Sequence, residues 1–400
     1  MLIPKYWAQY KQRFDSKTEF NKSPKQVTIK RYGWSDISPE AALVHAKERV
    51  ANAHSRWLAG DDIVRREHRE EYNTSNGIPI REAIISEHGF SDNGLIEGNL
   101  ENRTSNSQLI VTRNSYGAKV VNVNNIAIID VDHDDLLHQK FPDSYDKQGF
   151  MGVSIIDKSQ PSSMKVKVWS FILAFILIAS SIAWLGLSWF WLLVIMIGVT
   201  AYLWQQASKR DKVRAKKRAD DLASLSPFIK DLIQQRVASH PKESFRLYET
   251  PAGFRIIATH DTAAPGDDLV TKWFAYFHAD ANYVRLCQAQ QCFRARLTAK
   301  PWRMSEVENN KLTKDIPAKD FWFVESNGVD DQKAQTQKEL AARQQWITYY
   351  DEYAKNYRAC RYIESFSGFD AGYQLEHNAI QTFIDWHDSA CQANKELQLA

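Results

Sequence analysis

Ile126-Ala127-Ile128-Ile129-Asp130-Val131-Asp132-His133-Asp134-Asp135 begins as an apolar run too continuous for an exposed edge, and reads as a central strand of a sheet. It ends in carboxylates. Side chains at i and i+2 of a strand project to one face, so Asp130 and Asp132 stand side by side. Two carboxylates sharing a site repel unless a cation joins them. An oxygen-loving divalent ion, Mg²⁺ or Mn²⁺, suits that role and would recruit phosphate oxygens. The same residues also suit a strand that runs out of the core into a solvated acidic turn.

Upstream, Leu109–Arg113 and Ala118–Val123 alternate around Asn114-Ser115-Tyr116-Gly117, which is hairpin chemistry. Gln26–Trp34 alternates as a half-buried strand. Ser38 then offers an N-cap, Pro39 a first helical residue and Glu40 a first-turn anion, with apolar residues recurring to Leu58 and Gly60 closing the helix.

Downstream, Val168 to Trp204 contains no Asp, Glu, Lys or Arg over 37 residues. One helix of that length would measure roughly 55 Å, against a hydrocarbon core of about 30 Å. A break at Leu185-Gly186-Leu187-Ser188 gives two transmembrane spans, about 168–185 and 188–204. Lys165 and Lys167 precede them, and Lys209, Arg210, Lys212, Arg214, Lys216, Lys217 and Arg218 follow. Basic flanks stay cytoplasmic, so both arms, 1–164 and 208–400, are expected on that side of the bilayer. A buried soluble helix pair is the other reading. The expected fold class is thus α+β, cytoplasmic, with a two-helix transmembrane hairpin inserted mid-chain, and the two arms are able to form one composite domain.

The net charge of +3 excludes a histone-like basic tail. In the C-terminal arm a helix is expected over 213–240, interrupted at Ser226-Pro227. A hairpin is expected from Phe245–Thr250 through Pro251-Ala252-Gly253 into Phe254–His260. Arg255 is placed on one strand face. Arg294 and Arg296 share another, with Lys300 and Arg303 close behind, a pattern that suits phosphate through guanidinium contacts; pairing with the abundant Asp and Glu is the alternative. Residues 331–363 and 374–394 read as amphipathic helices. Four cysteines fit free thiols in a reducing compartment. Cys287 and Cys292, with His387 and Cys391 one helical turn apart, define a zinc alternative.

Ile3-Pro4-Lys5-Tyr6-Trp7, Arg31-Tyr32-Gly33-Trp34-Ser35, Val111–Gly117, Phe293–Leu297 and Lys300-Pro301-Trp302-Arg303 resemble a group of bacterial two-pass membrane proteins. That resemblance implies the bacterial inner (cytoplasmic) membrane with both termini cytoplasmic, and brings no activity. The apolar strand ending in Asp130-Val131-Asp132, followed by Tyr248-Glu249-Thr250-Pro251-Ala252-Gly253, is similar to the palm of archaeo-eukaryotic-type primases and primase-polymerases. It implies metal-binding roles for Asp130 and Asp132 and a turn at Gly253. Where that family carries a nucleotide-contacting histidine this chain has Arg255, and Glu249 and Asp261 are only candidates for a third acid. Two functions follow as expectations. One is a membrane-anchored protein that binds nucleotide or nucleic-acid phosphates, extending to metal-dependent nucleotidyl or phosphoryl transfer. The other is a non-catalytic scaffold or interaction protein.

Overall fold

Ser38 starts the first helix through its hydroxyl. In the computed structural model this side chain accepts the Ala41 N–H at 3.1 Å, Pro39 fills the first helical position, and α1 runs Pro39–Leu58. The structure describes residues 1–18, 21–67, 77–91, 94–97, 109–147, 153–155, 190–304, 337–371 and 378–400. Ala42, Ala46, Val50, Ala53 and Trp57 form the buried stripe of α1. The helix packs on an antiparallel ribbon of β1 (Tyr6–Thr18) and β2 (Asn21–Ser35), which extends the expected strand at both ends. The approach is close: a Cβ on Gly33 would stand 2.3 Å from the Ala42 carbonyl oxygen and the Ala46 nitrogen. Val27, Ile29 and Val50 are buried in this contact, each contributing roughly 1.5–3 kcal/mol.

Two larger sheets follow. β3 (Ala83–Ser91), β4 (Gly94–Glu97), β5 (Leu109–Arg113), β6 (Lys119–Val123) and β12 (Phe293–Arg296) form a five-stranded sheet in the order β12-β6-β5-β3-β4. The expected β5–β6 hairpin forms because the Asn114 side chain accepts the N–H groups of Tyr116 at 3.2 Å and Ala118 at 3.0 Å. Gly117 supplies the left-handed residue, with φ of 91°.

The other sheet has the order β14-β10-β11-β7, built from β7 (Ile128–Asp132), β10 (Ser244–Thr250), β11 (Gly253–Ala258) and β14 (Arg361–Ser367). β7 therefore ends its sheet, where a central position was expected. It is buried all the same, because helix α6 (Ala281–Gln290) and its N-cap cover the open edge. The Tyr283 hydroxyl donates to the Ile128 carbonyl at 2.8 Å, and the Asp280 N–H to the Asp130 carbonyl at 3.1 Å. An apolar strand without a second neighbour is tolerated when other groups satisfy its backbone.

The chain divides into two units, Met1–Asp132 with Leu232–Ala400, and His133–Asp231. The first holds both sheets, α5 (Asp268–Tyr276), α6, α7 (Gln337–Ala354) and α8 (Asn378–Cys391), together with the short parallel pair β13 (Tyr357–Arg358) and β15 (Gln398–Leu399). The second contains α2 (His133–Lys140), the pair β8 (Tyr145–Lys147) and β9 (Val153–Ile155), α3 (Phe190–Ala223) and the first turns of α4 (Leu225–Ser239). In it Arg218 pairs with Asp134 at 2.7 Å, and the Tyr145 hydroxyl donates to Asp221 at 2.7 Å. Burial and Asp221 push that phenol above its ordinary range.

The membrane hairpin expected over 168–204 is overturned. Among the described residues no helix is long and apolar enough to cross a membrane. The expected first span, 168–185, and the turn lie outside the described residues. The expected second span falls on α3, a single helix that runs on into the charged segment from Lys209. The described apolar part, Phe190 to Trp204, covers about 22 Å at 1.5 Å per residue, short of a hydrocarbon core of about 30 Å. The α+β fold class with an inserted transmembrane hairpin falls with this finding, as does the two-pass inner-membrane location. The architecture is mixed α/β with several sheets.

Candidate functional site

In the β7–β11 pair Arg255 lies opposite Asp130 and Gly253 opposite Asp132. Opposed residues project to one face, and Arg255 Nε stands 4.0 Å from Asp130 Oδ1. Gly253 is needed for this register, since a Cβ there would stand 1.9 Å from the Val131 carbonyl oxygen. The tip of the β10–β11 hairpin is thereby pressed onto the acidic end of β7. Asp132 meets a third acid, Asp280, with carboxylate oxygens of the two residues within 4.8 Å of each other. Asp280 is fixed as the N-cap of α6, accepting the N–H groups of Asn282 at 3.1 Å and Tyr283 at 3.2 Å. Among the described residues, the carboxylate group that includes Asp132 and Asp280 does not include Asp130, whose carboxylate lies toward Arg255 instead.

The basic residues separate into two kinds. Arg294 is buried, with Nη2 donating to both carboxylate oxygens of Glu82, at 2.7 and 2.6 Å, and Nη1 to Gln290 at 2.5 Å. Arg255 is buried as well, and its Nη1 donates to the Arg296 carbonyl at 3.2 Å and to His387 Nε2 at 3.0 Å. Burial opposes its charge, but Cys360, Cys391 and Asp130 hold the guanidinium above its ordinary value. Arg296 and Arg303 are different. Arg303 Nη1 is shut off from solvent and has no hydrogen-bond partner among the described residues. Burial first, then the charge of Arg296, keep Arg303 below its ordinary value, against the pull of Asp132 and Asp130. Two guanidinium groups and two carboxylates therefore lie within electrostatic reach of one another. Beside them Lys300 Nζ stands 5.6 Å from the Tyr116 ring centre and 5.4 Å from that of Trp302. The two rings meet edge-on at 5.0 Å, and Trp302 is 49% exposed.

The soft ligands regroup. Cys287 and Cys292 are buried, and burial pushes both thiols up, Cys292 to about 12. Among the described residues no metal-ligand group joins them to His387 and Cys391. The residue that does join those two is Cys360, and the ligand atoms of Cys360, His387 and Cys391 all lie within 4.8 Å of one another. Cys360 carries no local spacing signal, because the fold alone brings it to the helix. Glu82 and Asp280 escaped sequence reading for the same reason.

No family model, curated protein or solved structure matches the chain. The resemblances noted above therefore rest on the quoted motifs alone, and the reading of the site rests on its geometry.

Proposed function

We propose that the chain binds the phosphates of a nucleotide or nucleic acid, with a divalent cation held by Asp130 and Asp132 and assisted by Asp280. The observation that carries this reading is Arg303: among the described residues its solvent-excluded Nη1 has no hydrogen-bond partner, and the guanidinium lies within electrostatic reach of Arg296, Asp132 and Asp130. A buried unmet donor costs about 1–3 kcal/mol, and an anionic oxygen entering the site recovers that cost. Arg296 and Arg303 take the phosphate in this reading. Mg²⁺ or Mn²⁺ bridges phosphate oxygens to the aspartates, and the exposed Trp302 ring offers a stacking surface for a base. The same parts suit nucleotidyl or phosphoryl transfer, in which cation and guanidinium groups neutralise charge developing on the phosphate. Arg294 and Arg255 position the site from within the core.

Calorimetric titration of the full-length protein with a nucleoside triphosphate and with a short single-stranded oligonucleotide, each with and without Mn²⁺, tests this. Arg303→Ala is expected to weaken binding about 10- to 100-fold, the value of one charge-assisted hydrogen bond. Asp130→Asn with Asp132→Asn is expected to abolish the Mn²⁺ dependence. If the wild-type protein binds neither probe, the reading is wrong and the scaffold function takes its place.

A further inference from the structure

We propose that Cys360, His387 and Cys391 form a buried binding site for a soft divalent metal of the zinc class. The site is separate in chemistry from the carboxylate site, because thiolate and imidazole select zinc-like ions where carboxylates select Mg²⁺ and Mn²⁺. His387 and Cys391 sit one turn apart on the same face of α8. Cys360 precedes β14, and all three side chains have 0% exposure.

The protonation of the histidine is set for ligation. His387 Nδ1 lies 3.2 Å from Asp388 Oδ1, an acceptor when ionised, so Nδ1 carries the proton and Nε2 presents a lone pair. That lone pair faces Cys391 Sγ at 3.5 Å. Asp388 is itself fixed by the Tyr248 hydroxyl at 2.7 Å and by Arg246 at 2.6 Å. A carboxylate that orients the far nitrogen of a ligating imidazole is the usual outer support of a zinc histidine.

Without metal, Arg255 occupies these ligand atoms, and a metal must take them from it. Arg255 Nη1 lies among the same acceptors, 3.0 Å from His387 Nε2, 3.2 Å from the Arg296 carbonyl and 3.9 Å from Cys391 Sγ. The cluster already accommodates positive charge. A dication bound by two thiolates and a neutral imidazole gives a centre of zero net charge, which a core tolerates. The Arg296 carbonyl, also within 3.5 Å of Cys391 Sγ, or a water completes four ligands. Binding converts two thiols to thiolates and releases two protons, while Nδ1 keeps its own. The metal takes Nε2 from Arg255.

Cobalt(II) titration of the reduced full-length protein under argon tests the site, because thiolate-to-cobalt charge transfer and tetrahedral d–d bands report the ligands directly. One equivalent is expected to give both bands, and one equivalent of Zn²⁺ to remove them. Cys360→Ser and Cys391→Ser are expected to lose the charge-transfer intensity, Cys287→Ser to retain it, and Asp388→Asn to weaken affinity about 10- to 100-fold. Near-ultraviolet circular dichroism checks that each variant is folded. Should the serine variants unfold, maleimide labelling of the wild type with and without Zn²⁺, mapped by mass spectrometry, decides instead: the metal must protect Cys360 and Cys391 and not Cys287. Absence of a thiolate band in the wild type, a band that survives both serine substitutions, or labelling that Zn²⁺ leaves unchanged overturns the proposal.

Discussion

The contrast between Arg294 and Arg303 turns on single atoms. Arg294 spends its guanidinium on Glu82 and Gln290, so Arg294→Ala leaves a buried carboxylate unpaired and should cost about 3–5 kcal/mol in urea unfolding. Among the described residues, Arg303 Nη1 has no hydrogen-bond acceptor. Arg303→Leu should therefore change stability by less than about 1 kcal/mol or raise it, while phosphate binding falls, a pairing characteristic of a ligand site. Glu243 gives the pH dependence of the same unit. Burial raises its pKa, but its bonds to Arg236 at 2.7 and 2.6 Å and to Trp273 at 3.2 Å bring it below the ordinary carboxylate value. A depressed folded pKa means that this stabilisation is complete above the ordinary carboxylate range and is lost as pH falls through the depressed value. Glu243→Gln should thus destabilise by about 3–5 kcal/mol at pH 7, with the gap from wild type narrowing as the urea experiment is repeated at lower pH. At this scale the spacing of Asp130 and Asp132 and the turn glycine were legible in the sequence, because strand period and turn chemistry are local. Glu82, Asp280 and Cys360 were not, since nothing near them in the chain marks their partners.

Elements were legible where their signals were local and strong. Ser38-Pro39-Glu40 marked the start of α1, and Asn114 to Gly117 marked the β5–β6 turn. The helix expected over 331–363 is described from Gln337 and stops at Ala354, because Arg361–Ser367 pairs along β10 as an edge strand, a long-range contact that overrides helical periodicity. β7 was misread as central for a related reason: hydrophobicity reports burial, and α6 buries this strand as well as another strand would. Tyr283→Phe tests that cover. It removes the only hydroxyl that donates to the Ile128 carbonyl among the described residues, and should cost about 1–3 kcal/mol with faster amide exchange along β7. Gly253→Ala forces a methyl group into the Val131 carbonyl and should cost about 3 kcal/mol, displacing Asp132 and weakening Mn²⁺ affinity.

Across the whole molecule, a charge-free run of sequence misled because composition does not give the length of the helix it enters; α3 leaves its apolar part after Trp204 and continues as a charged helix. The unit that carries the candidate site takes its residues from both ends of the chain, Met1–Asp132 and Leu232–Ala400. A truncation after Asp231 lacks β10, β11, β12 and β14, and should leave β7 unprotected against amide exchange; a fragment with protected β7 amides would refute this. The register that sets Asp132 against Gly253 also has a consequence in time. A ribosome working at about 5–20 residues per second reaches Gly253 roughly 6–24 s after it has made Asp132. Throughout that interval Ile128, Ile129 and Val131 have been synthesised and their partner strand has not, which makes translation speed between the two strands a determinant of yield.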